Sequence, residues 1–270
     1  APQVEPKAGG NIKRLFEFIS IASDDDRLLL LVWLVASFIS DFPHPIPILH
    51  GPQGSGKSTT FRRLRMLIDP STVLTLTFPR EIGELVQQLS HNWAALYDNV
   101  ADLPPWLSDA LCRAVTGEGF TKRQLYTNDE DFIYQFQRVI GLNGINIVAT
   151  RPDLLDRAIL IELKRIAPGK RRTEVELDAA FAAAIPEILG GVFDALVKAL
   201  GLRPTVGLNR LPRMADFAHW GYAIAEAARD RGAEVTLVTA SDLPAPSGVT
   251  VVNTVTVADM RDAILPISSD

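Results

Sequence analysis

Residues 51–59 read GPQGSGKST, which satisfies G-x-x-x-x-G-K-[ST] with Lys57 and Ser58 in the last two places. The run before it, 45–50 (PIPILH), is apolar enough for a buried strand. The run after it, from Thr59 through Met66, has the pattern of a helix. A strand, a glycine-rich loop and a helix in that order make a phosphate site. The loop turns backbone N–H groups inward, and the helix N-terminus favours an anion. Gly51, Gln53, Gly54, Ser55, Gly56, Lys57, Ser58 and Thr59 are the expected cofactor contacts. Lys57 is expected to reach the β- and γ-phosphates of a nucleoside triphosphate, and the Ser58 hydroxyl to hold Mg²⁺. The competing reading, a chance glycine-rich turn, does not account for both flanks.

The chain around this loop alternates strands and helices. Residues 1–10 form a lead-in rich in Pro, Gly and Ala, and 11–21 have helical spacing. A second helix covers 28–39 (LLLLVWLVASFI), with Ser23 and Asp24, Asp25 and Asp26 at its N-terminus. That apolar run is shorter than the roughly 20 residues a membrane span needs. Prolines at 43, 45 and 47 end it. After the loop helix, 72–78 (TVLTLTF) predicts a strand and 79–90 a helix. Residues 93–100 (WAALYDNV) form an apolar strand that delivers Asp98 to its carboxyl end. An acid there can complete the Mg²⁺ site from across the sheet. It can also merely end a strand.

Residues 103–116 predict a helix, closed by Gly117 and Gly119. Two short β-like runs around Asn128 and Asp129 predict a hairpin over 120–136. Residues 138–142 make another buried strand that ends at Asn143, and 158–163 (AILIEL) a fifth. The fold class expected is α/β, with five mostly parallel strands and flanking helices. From 173 onward the pattern is helical, with a break at Gly190 and Gly191, and from 234 it reads as two strands and a short helix. The expected division is N-terminal helices over 1–42, a nucleotide core over 43–166, a helical lid over 167–230 and a β/α tail over 231–270.

Bulk properties exclude little. The 270 residues are 47% hydrophobic and 22% charged, enough for a sizeable core. A net charge of −5 argues against a wholly basic nucleic-acid-binding surface, though it allows a local basic patch. The single cysteine, Cys112, fits a reducing compartment, so the expected location is cytoplasmic. Its place on an apolar helix face reads as core packing.

The order of motifs carries a resemblance. Residues 51–59, 96–120 (LYDNVADLPPWLSDALCRAVTGEGF), 142–160 (LNGINIVATRPDLLDRAIL) and 211–220 (LPRMADFAHW) resemble the AAA+ P-loop ATPases, in particular ATP-binding proteins of phages and integrative elements. Those are related to the superfamily III helicases. The resemblance spans about 12–220 and implies ATP and Mg²⁺ as cofactors, with Ser58 and Asp98 on the metal. It also implies catalytic roles for Lys57, Asp98, Asn143 and Arg157. Asn143 would be the sensor that orients the attacking water. Arg157 would be the arginine finger of a neighbouring subunit, with Arg151 in reserve, and Arg213 a second sensor in the lid. The competing reading of each arginine is a surface ion pair. The hairpin matches the place of a pore hairpin, where Lys122, Arg123 and Tyr126 would touch DNA. Partners implied are a ring of identical subunits, single- or double-stranded DNA and replication proteins, with no membrane.

Two departures matter. Where such ATPases carry a glutamate general base after the strand acid, this chain has Asn99; Asp102 and Glu118 are the other candidates. Residues 221–264 resemble a fragment of the synthetase domain of phosphopantothenoylcysteine synthetase, without its glycine-rich turn or its lysine-bearing segments. The function expected is an ATP-driven, helicase-like enzyme in replication of a mobile element. The alternatives are a nucleotide-gated assembly module with little turnover and, less well matched, a small-molecule kinase.

Overall fold

A computed structural model describes residues 2–123, 131–135, 137–144, 151–167, 169, 172–208 and 212–229, with backbone alone at 120–123 and 131–133. The tip of the expected hairpin with Tyr126, the side chains of Lys122 and Arg123, and the tail beyond 229 lie outside the described residues.

Four strands form a wholly parallel sheet in the order β2 (Ala94–Tyr97), β5 (Val139–Asn143), β1 (Ile46–His50), β6 (Ala158–Glu162). Such a sheet is covered on both faces, so its strands are apolar throughout, alternating sides residue by residue. Leu49, Leu96, Val139, Ile159 and Ile161 face a core shared with α1 (Asp24–Ala36), α2 (Lys57–Ile68), α6 (Glu174–Leu202) and α7 (Ala215–Arg229). Ile46, Ile48, Ala95, Ile140 and Leu142 face a second core under α3 (Ile82–His91), α4 (Pro105–Thr116) and α5 (Pro152–Leu155). The architecture is α/β in three layers.

The expected fifth strand is corrected. Of residues 72–78, only Leu76 joins the sheet, through an isolated parallel bridge to Tyr97. Its N–H donates to the Leu96 carbonyl (2.8 Å) and its carbonyl accepts from Asp98 (3.0 Å). Val73 is 56% exposed, so little apolar burial holds the rest of the run against the sheet edge. The hairpin forms as expected, with β3 (Phe120–Arg123) antiparallel to β4 (Asp131–Tyr134).

Local signals set most helix ends. Ser23 caps α1, its Oγ accepting from the Asp26 N–H at 3.0 Å. Residues 11–21 give only a 3-10 helix, Ile12–Glu17, capped by Asn11. Gly117 closes α4 in the left-handed region.

The break expected at Gly190 and Gly191 is absent, because α6 runs unbroken through Pro186. The glycines serve close approach instead. The N-terminal segment lies against them, with Lys7 N–H donating to the Pro186 carbonyl (2.8 Å) and Asn11 N–H to Glu187 (2.9 Å). A Cβ on Gly190 would sit 1.8 Å from the Lys7 carbonyl oxygen. By length and composition the stretch Glu174–Thr205 would suffice to cross a membrane, yet half of its most apolar 18-residue window is buried inside this fold. Arg62–Glu174 and Arg63–Asp178 ion pairs tie its N-terminal end to α2.

Candidate functional site

β1 ends at His50, and the chain turns through residues 51–56 into α2 at the carboxyl edge of the sheet. Gly51 has φ 142°, and a Cβ there would lie 2.5 Å from the carbonyl oxygen of Leu163. Glycine is therefore required for the loop to close against the end of β6. No side chain caps α2; its N-cap, Gly56, is left-handed. A first turn without a side-chain cap suits an anion at this helix end.

Lys57 Nζ donates to the carbonyls of Gly51 (2.7 Å) and Pro52 (3.3 Å), curling over the loop. Burial pushes its pKa down, and the Asp98 carboxylate opposes that shift. Ser58 Oγ donates to Asp98 Oδ1 at 2.9 Å, joining α2 to the end of β2. Between them, at the end of β5, Asn143 Oδ1 accepts the Asn99 N–H at 2.9 Å, and the Asn143 carbonyl accepts from Val100 at 2.8 Å. Lys57, Ser58, Asp98 and Asn143 therefore meet at one edge of the sheet. Gln53 and Gly54 are exposed in the loop, and Thr59 is half-buried.

The donor set fits a magnesium–triphosphate group. Asn143 is 2% exposed and Ser55 1%, yet Asn143 Nδ2 and Ser55 Oγ have no hydrogen-bond partner. A buried polar atom left unmet costs about 1–3 kcal/mol, so two at one edge point to an acceptor that belongs there. A serine hydroxyl beside a carboxylate offers the hard oxygen ligands that Mg²⁺ prefers.

The arginines lie elsewhere. Arg157 precedes β6, where its carbonyl accepts from Ile46 at the start of β1. Its guanidinium bonds Asp153, to the carbonyl at 2.7 Å and to Oδ1 at 3.0 Å. Arg213 bonds the same Asp153 carboxylate (2.9 Å) and Asp156 (3.1 Å). Those pairs place both arginines at the amino edge of the sheet, away from the glycine loop. Arg151 pairs with Asp109 at 3.2 Å. Among the other candidate bases, Asp102 Oδ1 accepts from the Leu103 N–H at 2.8 Å, and Glu118 is exposed just beyond α4.

Sequence reading missed the segment that closes the loop from outside. Leu163 N–H donates to the His50 carbonyl (2.9 Å), and Ile166 N–H approaches the Gly54 carbonyl at 3.4 Å. Ser20 and Ala22 bond on either side, to Lys164 and Glu162. His50, half-buried beside Lys57, has its pKa lowered chiefly by burial. Only the β1–β6 register, which sets His50 opposite Glu162, could have revealed these neighbours.

A family of actinomycete integrative conjugative element replication proteins matches residues 12–242. The chain belongs to that family. It is thus a replication-related protein of a mobile element. A second, shorter likeness covers 218–269 and is to the DNA/pantothenate metabolism flavoprotein C-terminal domain; it falls mostly outside the described residues.

Among solved structures, the replication protein is similar to the apo NrS-1 C-terminal region (305–718), at 15% identity and TM-score 0.50 over 70% of this chain and 47% of that one. The A form apo structure of that region matches at 13% identity, TM-score 0.50, over 70% and 46%. The chain thus spans about half the length of those structures, and the likeness concerns the fold. A JCV helicase structure aligns at 14% identity over 80% of this chain and 63% of that one, with TM-score 0.35. No curated protein matches the chain.

Proposed function

We propose that this replication protein is an AAA+ type P-loop ATPase, binding ATP with Mg²⁺ at residues 51–59 and acting on DNA as the mobile element replicates. The observation that carries the reading is the Ser58–Asp98 hydrogen bond, made between the glycine loop's helix and the end of β2. It couples the two oxygen donors that a metal beside a triphosphate needs. Magnesium, when bound there, offsets charge on the phosphate oxygens. The chain's own residues do the remaining work. The loop N–H groups and Lys57 bind and orient the phosphates. Ser58 and Asp98 hold the metal. Asn143, fixed through its Oδ1 by Asn99, keeps Nδ2 available to place a water. Arg157 would serve the nucleotide of a neighbouring subunit in a ring, residues 167–230 would act as the lid, and the setting would be the cytoplasm.

The second reading, a nucleotide-gated assembly module with little turnover, is favoured by Asn99. An amide cannot act as general base at the place after the strand acid. Steady-state ATP turnover, measured with and without single-stranded DNA, separates the two. Turnover stimulated by DNA and lost in Lys57→Ala supports the motor. ATP binding without turnover under either condition leaves the gated module.

A further inference from the structure

The link between β6 and α6 carries charge that the nucleotide site does not use. Residues 164–172 read KRIAPGKRR, with cations at Lys164, Arg165, Lys170, Arg171 and Arg172 and no acid among them. At 27 lysines and arginines in 270 residues, nine positions would hold about one. Five in a chain of net charge −5 therefore make a local basic stripe.

The described part of the stripe faces solvent. Lys164, Arg165 and Arg172 are exposed, as are Ala167 and Gly169 beside them. Among the described residues, the side chains of Lys164 and Arg165 make no hydrogen bond or ion pair. Arg172 stands just before the Thr173 cap of α6, where it attracts the Glu176 carboxylate. Two acids bound the stripe. Glu162 lies opposite His50 and near Asp26, and Glu174 is paired with Arg62. The backbone under the first two cations is fixed. Lys164 N–H donates to the Ser20 carbonyl at 3.0 Å, and Ile166 N–H approaches the Gly54 carbonyl at 3.4 Å. Arg165 thus stands between two anchored residues, so little backbone ordering remains to oppose binding there.

We propose that Lys164, Arg165 and Arg172 form a docking surface for the phosphate backbone of duplex DNA. The inference rests on the reading that this replication protein acts on DNA, and gives that reading a surface. Exposed lysines and arginines contact phosphates without reading sequence, and the contacts release counterions. Residues 164–172 contain no Phe, Tyr, Trp or His. They therefore lack the stacking rings on which single-stranded bases are held, which favours a duplex as the occupant. The expected hairpin contacts differ in kind, since Tyr126 adds a ring to Lys122 and Arg123.

Fluorescence anisotropy of a labelled duplex of about 20 base pairs, titrated with the full chain at several salt concentrations, tests it. Wild type is expected to bind two unrelated sequences alike, with affinity falling as salt rises. The double variant Lys164→Gln/Arg165→Gln is expected to bind roughly tenfold more weakly at low salt. Its log–log salt slope should flatten by about 1.8, two phosphate contacts at about 0.9 each. Arg172→Gln is expected to flatten the slope by about 0.9. Lys164→Arg/Arg165→Lys keeps both charges and is expected to keep the wild-type slope. Lys198→Gln, on α6 outside the stripe, is expected to change nothing. Melting temperatures should stay within about 2 °C of wild type, because these side chains lie at the surface. An unchanged slope in the double variant, or an equal loss in Lys198→Gln, overturns the inference. A tenfold loss of ATP affinity in the double variant also overturns it, by assigning the two cations to the chain's own nucleotide. Wild type that binds single-stranded DNA but no duplex overturns it as well, and leaves the DNA reading standing. If wild type binds neither form, the DNA reading falls and this inference with it.

Discussion

Asn143 accepts the backbone N–H of Asn99 through Oδ1 at 2.9 Å, and Asn99 holds a left-handed φ of 56°. Among the described residues no other non-glycine has a positive φ. Asparagine tolerates this region far better than most side chains, because its short amide bonds locally. The residue after the strand acid is thus chosen partly for backbone shape. That gives a physical reason for asparagine at residue 99. Asn99→Gly is expected to change unfolding free energy by no more than about 0.5 kcal/mol. Asn99→Val is expected to cost about 1–2 kcal/mol, since a branched side chain is strained here. Urea unfolding measures both; equal losses would contradict the backbone explanation.

His44 is fully buried between Phe42 and Trp93, bonding the Ala36 carbonyl at 2.9 Å. Burial pushes its pKa down to about 4. Above the unfolded value of about 6.5 the ring is neutral in both states, and its contribution is complete. As pH falls toward 4, the unfolded chain takes up a proton that the folded one refuses, and stability declines. The full loss is on the order of 3 kcal/mol. His50, also lowered by burial, adds in the same direction. Unfolding titrations at pH 7.5, 6 and 5 should show a slope that His44→Gln reduces, whatever its baseline stability. An unchanged slope would mean His44 does not titrate as its burial implies.

Cys112 is 6% exposed on α4, and burial pushes its thiol up to about 11. The thiolate is the reactive form, so this cysteine should be inert at neutral pH. Ellman's reagent is expected to label one thiol per chain in denaturant and almost none in native protein over minutes. Rapid native labelling would contradict the packing of α4 on the sheet.

Much of this fold was legible because burial on both faces leaves an unmistakable trace. PIPILH, WAALY and AILIEL are continuous apolar runs, and all three are central or paired strands. TVLTLTF has strand composition but lies at the sheet margin, where a single bridge from Leu76 is all that forms. Gly190 and Gly191 look like helix breakers until Lys7 and Asn11 are laid against α6. In the site, Lys57, Ser58, Asp98 and Asn143 are each placed by a strand or helix end, and sequence order alone brings them together. Arg213 shows the opposite case. Its partners, Asp153 and Asp156, are remote in sequence, and no local pattern tells which edge of the sheet Arg213 will face.

The central claim is that residues 51–59 bind ATP with Mg²⁺. The direct test is calorimetric titration of ATP into wild type, Lys57→Ala, Ser58→Ala and Asp98→Asn, with Mg²⁺ and with EDTA. Wild type is expected to bind in Mg²⁺ and Lys57→Ala to bind at least about tenfold more weakly, the value of one charge-assisted hydrogen bond. Ser58→Ala and Asp98→Asn are expected to bind alike with and without Mg²⁺. Wild type that does not bind ATP, or a Lys57→Ala variant that binds it equally well, would contradict the account.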